Sequence, residues 1–209
     1  MPRYQLLIFD FDGTLADSAD WMIRTLNEVA GQFGLRQVTD AEIAMLRGRS
    51  NAEIVRYLRV PMWKLPGIAA EMRRRIARDL DRIKLFEGVD ELLRSLDEAN
   101  LRLAIVSSNS EENVRHILGA ANASRVDAFE CNASMFGKAH KLRAVMKRLQ
   151  TGPTATLCIG DETRDIEAAR EVQAASGAVL WGYATPAILQ KFAPTHTFAT
   201  LPDIIAVAV

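Results

Sequence analysis

LLIFDFDGTLADS, residues 6–18, runs four apolar side chains, Leu6 to Phe9, into two aspartates that bracket Phe11. A short run that is apolar at every position predicts a strand buried on both faces, as in a parallel sheet. Asp10 and Asp12 then stand almost side by side at its end. Like charges at that spacing repel and raise one another's pKa, so folding alone does not favour the pair. The arrangement calls for a positive partner that these thirteen residues do not contain.

Three further runs share this character: LAIV (103–106), TLCI (156–159) and AVLW (178–181). Ahead of the first two, residues 89–99 (VDELLRSLDEA) and 141–149 (KLRAVMKRL) supply crossover helices. That alternation predicts an α/β fold, a Rossmann-like doubly wound parallel sheet. From about Asp17 to Leu85 the rhythm breaks. WMIRTLNEVAGQF, DAEIAMLRG, NAEIVRYLR and IAAEMRRRIARDLDRI read as helices, and in the last Met72, Ile76, Leu80 and Ile83 fall on one face. Gly34, Gly48, Pro61 and Pro66–Gly67 punctuate these segments. About 70 residues are too many for a connecting loop and predict an inserted all-helical cap. The expected division is a core of residues 1–16 and 86–209 and a cap of residues 17–85. The exits lie near Leu15–Asp17 and Phe86–Gly88. In the tail, ATPAILQKF reads as a short helix, THTFAT as an edge strand and LPDIIAVAV as a closing helix.

Twenty-six basic residues balance 26 acidic ones, so no whole-molecule field would recruit nucleic acid or anionic membrane. Cys131 and Cys158 form no CxxC pair and no Cys/His ligand pattern, and read as free buried thiols. No apolar stretch approaches membrane-spanning length, and the first residues lack the pattern of a signal peptide. The expectation is a reduced, cytoplasmic protein, with monomer and dimer both open.

In an open parallel sheet, ligands bind beyond the carboxyl ends of the strands. There stand Asp10, Asp12, Gly13 and Thr14 after the first run, and Ser107, Ser108 and Asn109 after the second. Gly160, Asp161, Glu162 and Asp165 follow the third, and Gly137–Lys138 precedes its helix in MFGKAHKL. Asp10 and Asp161 can share a hard cation held by oxygen; Mg²⁺ suits, since it takes one or two carboxylates with water and phosphate. Lys138 and the Ser107 hydroxyl, with N–H groups around Gly13 and Ser108, can hold phosphoryl oxygens. A carboxylate beside a bound phosphate can act as nucleophile while a second moves protons.

DxDGT after the first strand, Ser after the second, a Lys, and GDxxxD after a later strand resemble the haloacid dehalogenase (HAD) superfamily. The position of the helical insertion resembles its C1-capped branch, which includes phosphoglycolate phosphatases and β-phosphoglucomutases. The resemblance implies a Mg²⁺-dependent phosphatase acting on a small phosphorylated metabolite, phosphoglycolate-like or a sugar phosphate. It implies that Asp10 attacks phosphorus, becomes an aspartyl-phosphate and ligates the metal. Asp12 protonates the leaving oxygen, activates water and offers its backbone carbonyl to the metal. Ser107 and Lys138 hold phosphoryl oxygens, with Gly13, Thr14 and Ser108 contributing. Asp161 is the remaining metal carboxylate, with Asp165 behind it; Glu162, beside Asp161, could replace or assist it at the metal. Dehalogenating relatives lack an acid two residues after the nucleophile, so Asp12 favours phosphoryl chemistry.

Lys141 competes with Lys138, because the third-motif lysine of phosphoglycolate phosphatases is commonly followed by proline and Lys138 by Ala139. Ser107 and Ser108 also read as caps of the next helix. In the cap, MLRGRSNAEI presents Arg47 and Arg49 around Gly48, suited to a substrate carboxylate or second phosphate, or else ordinary surface residues. His116, His140 and His196 show no ligand spacing. The alternatives are a phosphomutase on the same core and a non-catalytic binding module on a retained fold.

Overall fold

The computed structural model describes residues 3–133 and 137–209; Met135 and Phe136 of the MFGKAHKL motif lie outside them. Strand β1 (Leu6–Phe9) is buried throughout and is followed by a two-residue strand, β2 (Ala16–Asp17). Four helices come next: α1 (Ala19–Gln32), α2 (Asp40–Leu46), α3 (Asn51–Tyr57) and α4 (Leu65–Arg78). Strand β3 (Lys84–Leu85) pairs antiparallel with β2, so a small ribbon closes the helical segment at both ends. Beside this ribbon, Phe86 N–H bonds to the Leu15 carbonyl (2.9 Å).

The alternation then proceeds through α5 (Val89–Glu98), β4 (Arg102–Val106), α6 (Glu111–Ala123), β5 (Ala128–Glu130) and α7 (Lys138–Arg148). It ends with β6 (Thr156–Gly160), α8 (Thr163–Glu171), β7 (Ala175–Val179), α9 (Pro186–Lys191), β8 (His196–Phe198) and α10 (Leu201–Ala208). Six strands form one sheet in the order β5-β4-β1-β6-β7-β8, every pairing parallel. The α/β doubly wound, Rossmann-like sheet of the sequence reading is therefore present.

Side chains alternate across a strand, and β1 shows why its run is unbroken. Leu7 and Phe9 enter one core with Leu92, Leu93 and Leu96 of α5 and Ile204 of α10. Leu6 and Ile8 enter the opposite core with Leu142 and Val145 of α7 and Ala169 of α8. The helical segment has its own small core of Val38, Ile43 and Leu46. Capping boxes begin two of its helices, Thr39 with Glu42 and Ser50 with Glu53.

Three expectations change. The strand expected at 178–181 lies at 175–179: small residues let it approach β8, and a Cβ on Gly177 would meet the Phe198 ring at 2.5 Å. Leu180 and Trp181 fall beyond it, with Trp181 Nε1–H donating to the Thr14 carbonyl (3.1 Å). The helix holding Met72 and Ile76 ends at Arg78, where Asp79 leaves helical geometry and accepts the Trp21 indole N–H (2.9 Å). Ile83 is still buried in the same core, but from the turn that follows. Pro66 does not break a helix; it occupies the first turn of α4, where its missing N–H costs nothing. No helix among the described residues is long and apolar enough to cross a membrane.

Candidate active site

Because β4, β1 and β6 are neighbours, their carboxyl ends bring residues 10–14, 107–109 and 160–165 together. Asp10 N–H still bonds to the Ile159 carbonyl (2.8 Å), so the sheet register extends through Asp10 and fixes its carboxylate. Phe11 N–H donates to Asp10 Oδ1 (2.8 Å). The other oxygen, Oδ2, is buried and accepts no well-aligned hydrogen bond, although Lys138 Nζ stands 3.0 Å away.

Lys138 is the first residue of α7 rather than a residue ahead of it. Its buried ammonium also donates to Asp165 Oδ1 at 2.5 Å. Burial works against this charge, but Asp10 and Asp165 together hold the ammonium above the ordinary lysine range. Lys141, the competing lysine, pairs with Glu130 (2.9 Å) at half-exposed positions and meets none of these acids.

Asp161 directly follows β6 and is buried, accepting the Thr14 hydroxyl on Oδ1 (3.2 Å) and the Tyr183 N–H on Oδ2 (2.7 Å). Burial, then the charges of Glu162, Asp10 and Asp165, push its carboxyl well above the usual range. Gly13 has to be glycine: its φ is +80°, and a Cβ there would fall 2.3 Å from Asp161 Oδ2. Asp12 accepts the Asn109 amide (3.3 Å), while its Oδ1 is buried without a partner. Burial and the Asp10 charge push Asp12 up to about 6, against the nearby Ser18 hydroxyl and the Asn109 hydrogen bond.

Ser107 is buried at the end of β4, its hydroxyl accepting the Asn109 N–H (3.0 Å). Ser108 lines the cavity described below, and its carbonyl accepts an Arg73 N–H (3.2 Å). The cap of α6 is Ser110, not Ser107 or Ser108.

Carboxylate oxygens of Asp10, Asp161 and Asp165 all lie within 4.8 Å of one another. Both Asp165 oxygens are already engaged, one by Lys138 and the other by the Glu162 N–H (2.9 Å). Five carboxyl groups, with Asp12 and Glu162, gather around two cations, Lys138 and Arg164. Such a donor set is one that a hard divalent cation would complete.

The sequence reading passed over Arg164, inside GDETRD. Its Nε lies 2.5 Å from Glu162 Oε2 in an ion pair without hydrogen-bond alignment, and its Nη2 lies 3.8 Å from Asp10 Oδ2. A cavity of about 510 Å³ opens above the acids. The strand ends line it with Asp12, Gly13, Asp161, Glu162 and Arg164, and the helical segment with Met22, Leu65, Ile68, Met72, Ile76 and Arg73. The two expected cap arginines do not line it. Arg47 donates to the Tyr183 carbonyl (2.7 Å) and the Gly182 carbonyl (3.1 Å), and Arg49 is an exposed partner of Glu53 (3.5 Å). Their turn faces the 182–185 loop, which takes up Arg47; Arg73 is the arginine the helical segment presents instead.

The fold and site define an α/β protein whose parallel strand ends gather buried acids against a lysine from the start of α7. Residues 7–179 match the family model for haloacid dehalogenase-like hydrolases, and the chain belongs to that family. A phosphoglycolate phosphatase of Synechococcus elongatus is 33% identical over 96% of this chain and 95% of its own. One from Xanthomonas campestris is 30% identical over 85% of this chain and 83% of its own. The crystal structure of a predicted phosphatase from Clostridium acetobutylicum superposes with a TM-score of 0.80 at 21% identity, covering 97% of each chain. The chain is a HAD-like phosphoric monoester hydrolase.

Proposed function

We propose that the protein hydrolyses a small phosphorylated metabolite, phosphoglycolate-like or a sugar phosphate, through a phosphoryl group carried on Asp10. The observation that carries this reading is Asp10 itself: a buried carboxylate with one oxygen pinned by Phe11 N–H and the other facing Lys138 at 3.0 Å. An oxygen of Asp10 attacks phosphorus as the ester P–O bond breaks, and Asp12 gives its proton to the departing alkoxide. Asp12 then takes a proton from water, whose oxygen displaces Asp10 and releases inorganic phosphate. Lys138, Ser107 and the N–H groups after β1 and β4 hold the phosphoryl oxygens.

Asp10, Asp161 and the Asp12 carbonyl would hold Mg²⁺. When bound, it supplies charge neutralisation for the phosphoryl group and lets the two carboxylates coexist. We read residues 17–85 as a cap that excludes bulk water and selects the alcohol. Phosphoglycolate phosphatase relatives at 33% and 30% identity support a small, carboxylate-bearing ester, for which Arg73 is the available cation on that side.

A phosphate-release screen over phosphorylated metabolites, with Mg²⁺ supplied, tests the reading. Wild type turns over at least one ester and folded Asp10→Asn turns over none. An active Asp10→Asn protein overturns the nucleophile, and isomerised sugar phosphate in place of free phosphate makes the protein a mutase.

A further inference from the structure

Arg164 and Lys138 approach the same oxygen, Asp10 Oδ2, at 3.8 and 3.0 Å, so the charge presented to a phosphoryl group depends on both. The two are held differently. Lys138 is gripped within the sheet domain by Asp165. The Arg164 guanidinium is ion-paired with Glu162, whose Oε2 lies 2.5 Å from its Nε without hydrogen-bond alignment, so Glu162 holds it by charge. The other oxygen of Glu162, Oε1, accepts the side-chain amide of Asn51 at 2.9 Å. Asn51 belongs to the helical segment, and its own amide oxygen accepts the Thr163 hydroxyl at 3.2 Å.

Both ends of one amide are therefore spent on the turn that carries the acids. Asn51 is also rigidly placed. It opens α3 directly after Ser50, whose capping box with Glu53 fixes the backbone. Ahead of it, the Arg47 carbonyl accepts Thr185 N–H (2.9 Å) while the Arg47 guanidinium grips the neighbouring carbonyls. The loop from Arg47 to Asn51 is thus seated on the sheet side at both its ends.

We propose that Asn51 is a positioning residue: by holding Glu162 it keeps Arg164 aimed at Asp10 only while the helical segment is seated on the strand ends. This deepens the phosphatase reading and rests on it. Without the Asn51 amide, Glu162 keeps its charge but loses its orientation, and Arg164 can follow it away from Asp10. Full positive charge at the phosphoryl site then requires the helical segment in place, which couples substrate enclosure to reactivity. Supporting partners of this kind are typically worth about 10- to 100-fold in activity.

The test is a double-mutant cycle in kcat on an ester that wild type hydrolyses. Asn51→Ala lowers kcat about tenfold with KM within about twofold. In an Arg164→Ala background, the same substitution lowers kcat no further. Equal losses in both backgrounds, or a loss carried by KM alone, overturn the proposal, because Asn51 then acts independently of Arg164. Should Arg164→Ala fail to fold, Asn51→Asp decides, since its carboxylate faces Glu162 and cannot donate. The expectation is a kcat loss at least as large as for Asn51→Ala, and a wild-type kcat overturns the idea. A wild-type protein that releases no phosphate from any ester defeats the phosphatase reading itself, a separate outcome.

Discussion

Lys138 Nζ lies 3.0 Å from Asp10 Oδ2, a contact made between the start of a helix and the end of the central strand. Asp165 takes the same ammonium at 2.5 Å, so one lysine bridges two buried carboxylates. Removing it leaves both without their shared cation. Truncating one partner of a buried ion pair commonly costs about 3–5 kcal/mol, because the remaining charge is stranded.

Lys138→Ala is therefore expected to lose at least about 100-fold in kcat/KM, the scale of losing one preorganised charge at a phosphoryl group, and to unfold at lower denaturant. Lys141→Ala, which removes only a half-exposed pair with Glu130, should change stability by less than about 1 kcal/mol and leave kcat within about twofold. Side-by-side kinetics and urea melts check both. Comparable losses in the two variants would return the choice of lysine to open ground.

The cation has a thermodynamic signature independent of turnover. Five carboxyl groups around two cations favour any native state that binds a hard divalent ion, and a ligand bound only by the native state stabilises it by about 2.7 kcal/mol at 100 times Kd. Thermal melting with increasing Mg²⁺ should show a rising Tm, reversed by excess chelator. Asp161→Asn should lose most of that response. A Tm indifferent to Mg²⁺ would remove the metal from the site, and full activity in excess chelator would remove it from the reaction.

Much of this was written in the sequence, for a physical reason. β1, β4 and β6 are buried on both faces, so their runs are almost continuously apolar, and the acids and hydroxyls beyond them could be placed at strand ends without a structure. β7 was displaced because Ser176 and Gly177 pack by being small, which a hydrophobic reading discounts. β5, three residues at the sheet edge, is too short to carry a pattern. Lys138 could be named because it stands where a helix starts. Asn51 and Arg73 could not, since their contacts depend on how the helical segment lies over the sheet; Arg164 stands inside GDETRD, but its approach to Asp10 is a long-range contact that the motif's spacing does not show. Arg47 and Arg49 drew notice by flanking a glycine, yet neither reaches the cavity.

Arg73 carries the specificity prediction that the cap arginines no longer do. It lines the cavity from α4 and also donates to the Ser108 carbonyl (3.2 Å), so its guanidinium sits between the helical segment and the phosphoryl end. Arg73→Ala should raise KM for phosphoglycolate about tenfold, the scale of a hydrogen bond to a charged group, and for p-nitrophenyl phosphate much less. Arg49→Ala should alter neither. Equal effects of Arg73→Ala on the two esters would mean that it contacts no carboxylate.

The two thiols predict how stability responds to alkali. Cys131 and Cys158 are free and buried, and burial pushes both up to about 12 from an ordinary value of 9.0. Above pH 9 the unfolded chain loses these protons while the native chain keeps them. The unfolded state then binds fewer protons, so stability falls as pH rises from about 9 towards 12, with a limiting slope of about 1.4 kcal/mol per pH unit per thiol. At pH 8 the native thiols should resist a disulfide reagent, and both should react once the protein is unfolded. Cys158→Ala removes one of the two proton losses, so its urea-unfolding free energy should fall less steeply between pH 9 and 10.5 than that of wild type. Identical slopes would show that Cys158 ionises as readily in the native chain as in the unfolded one.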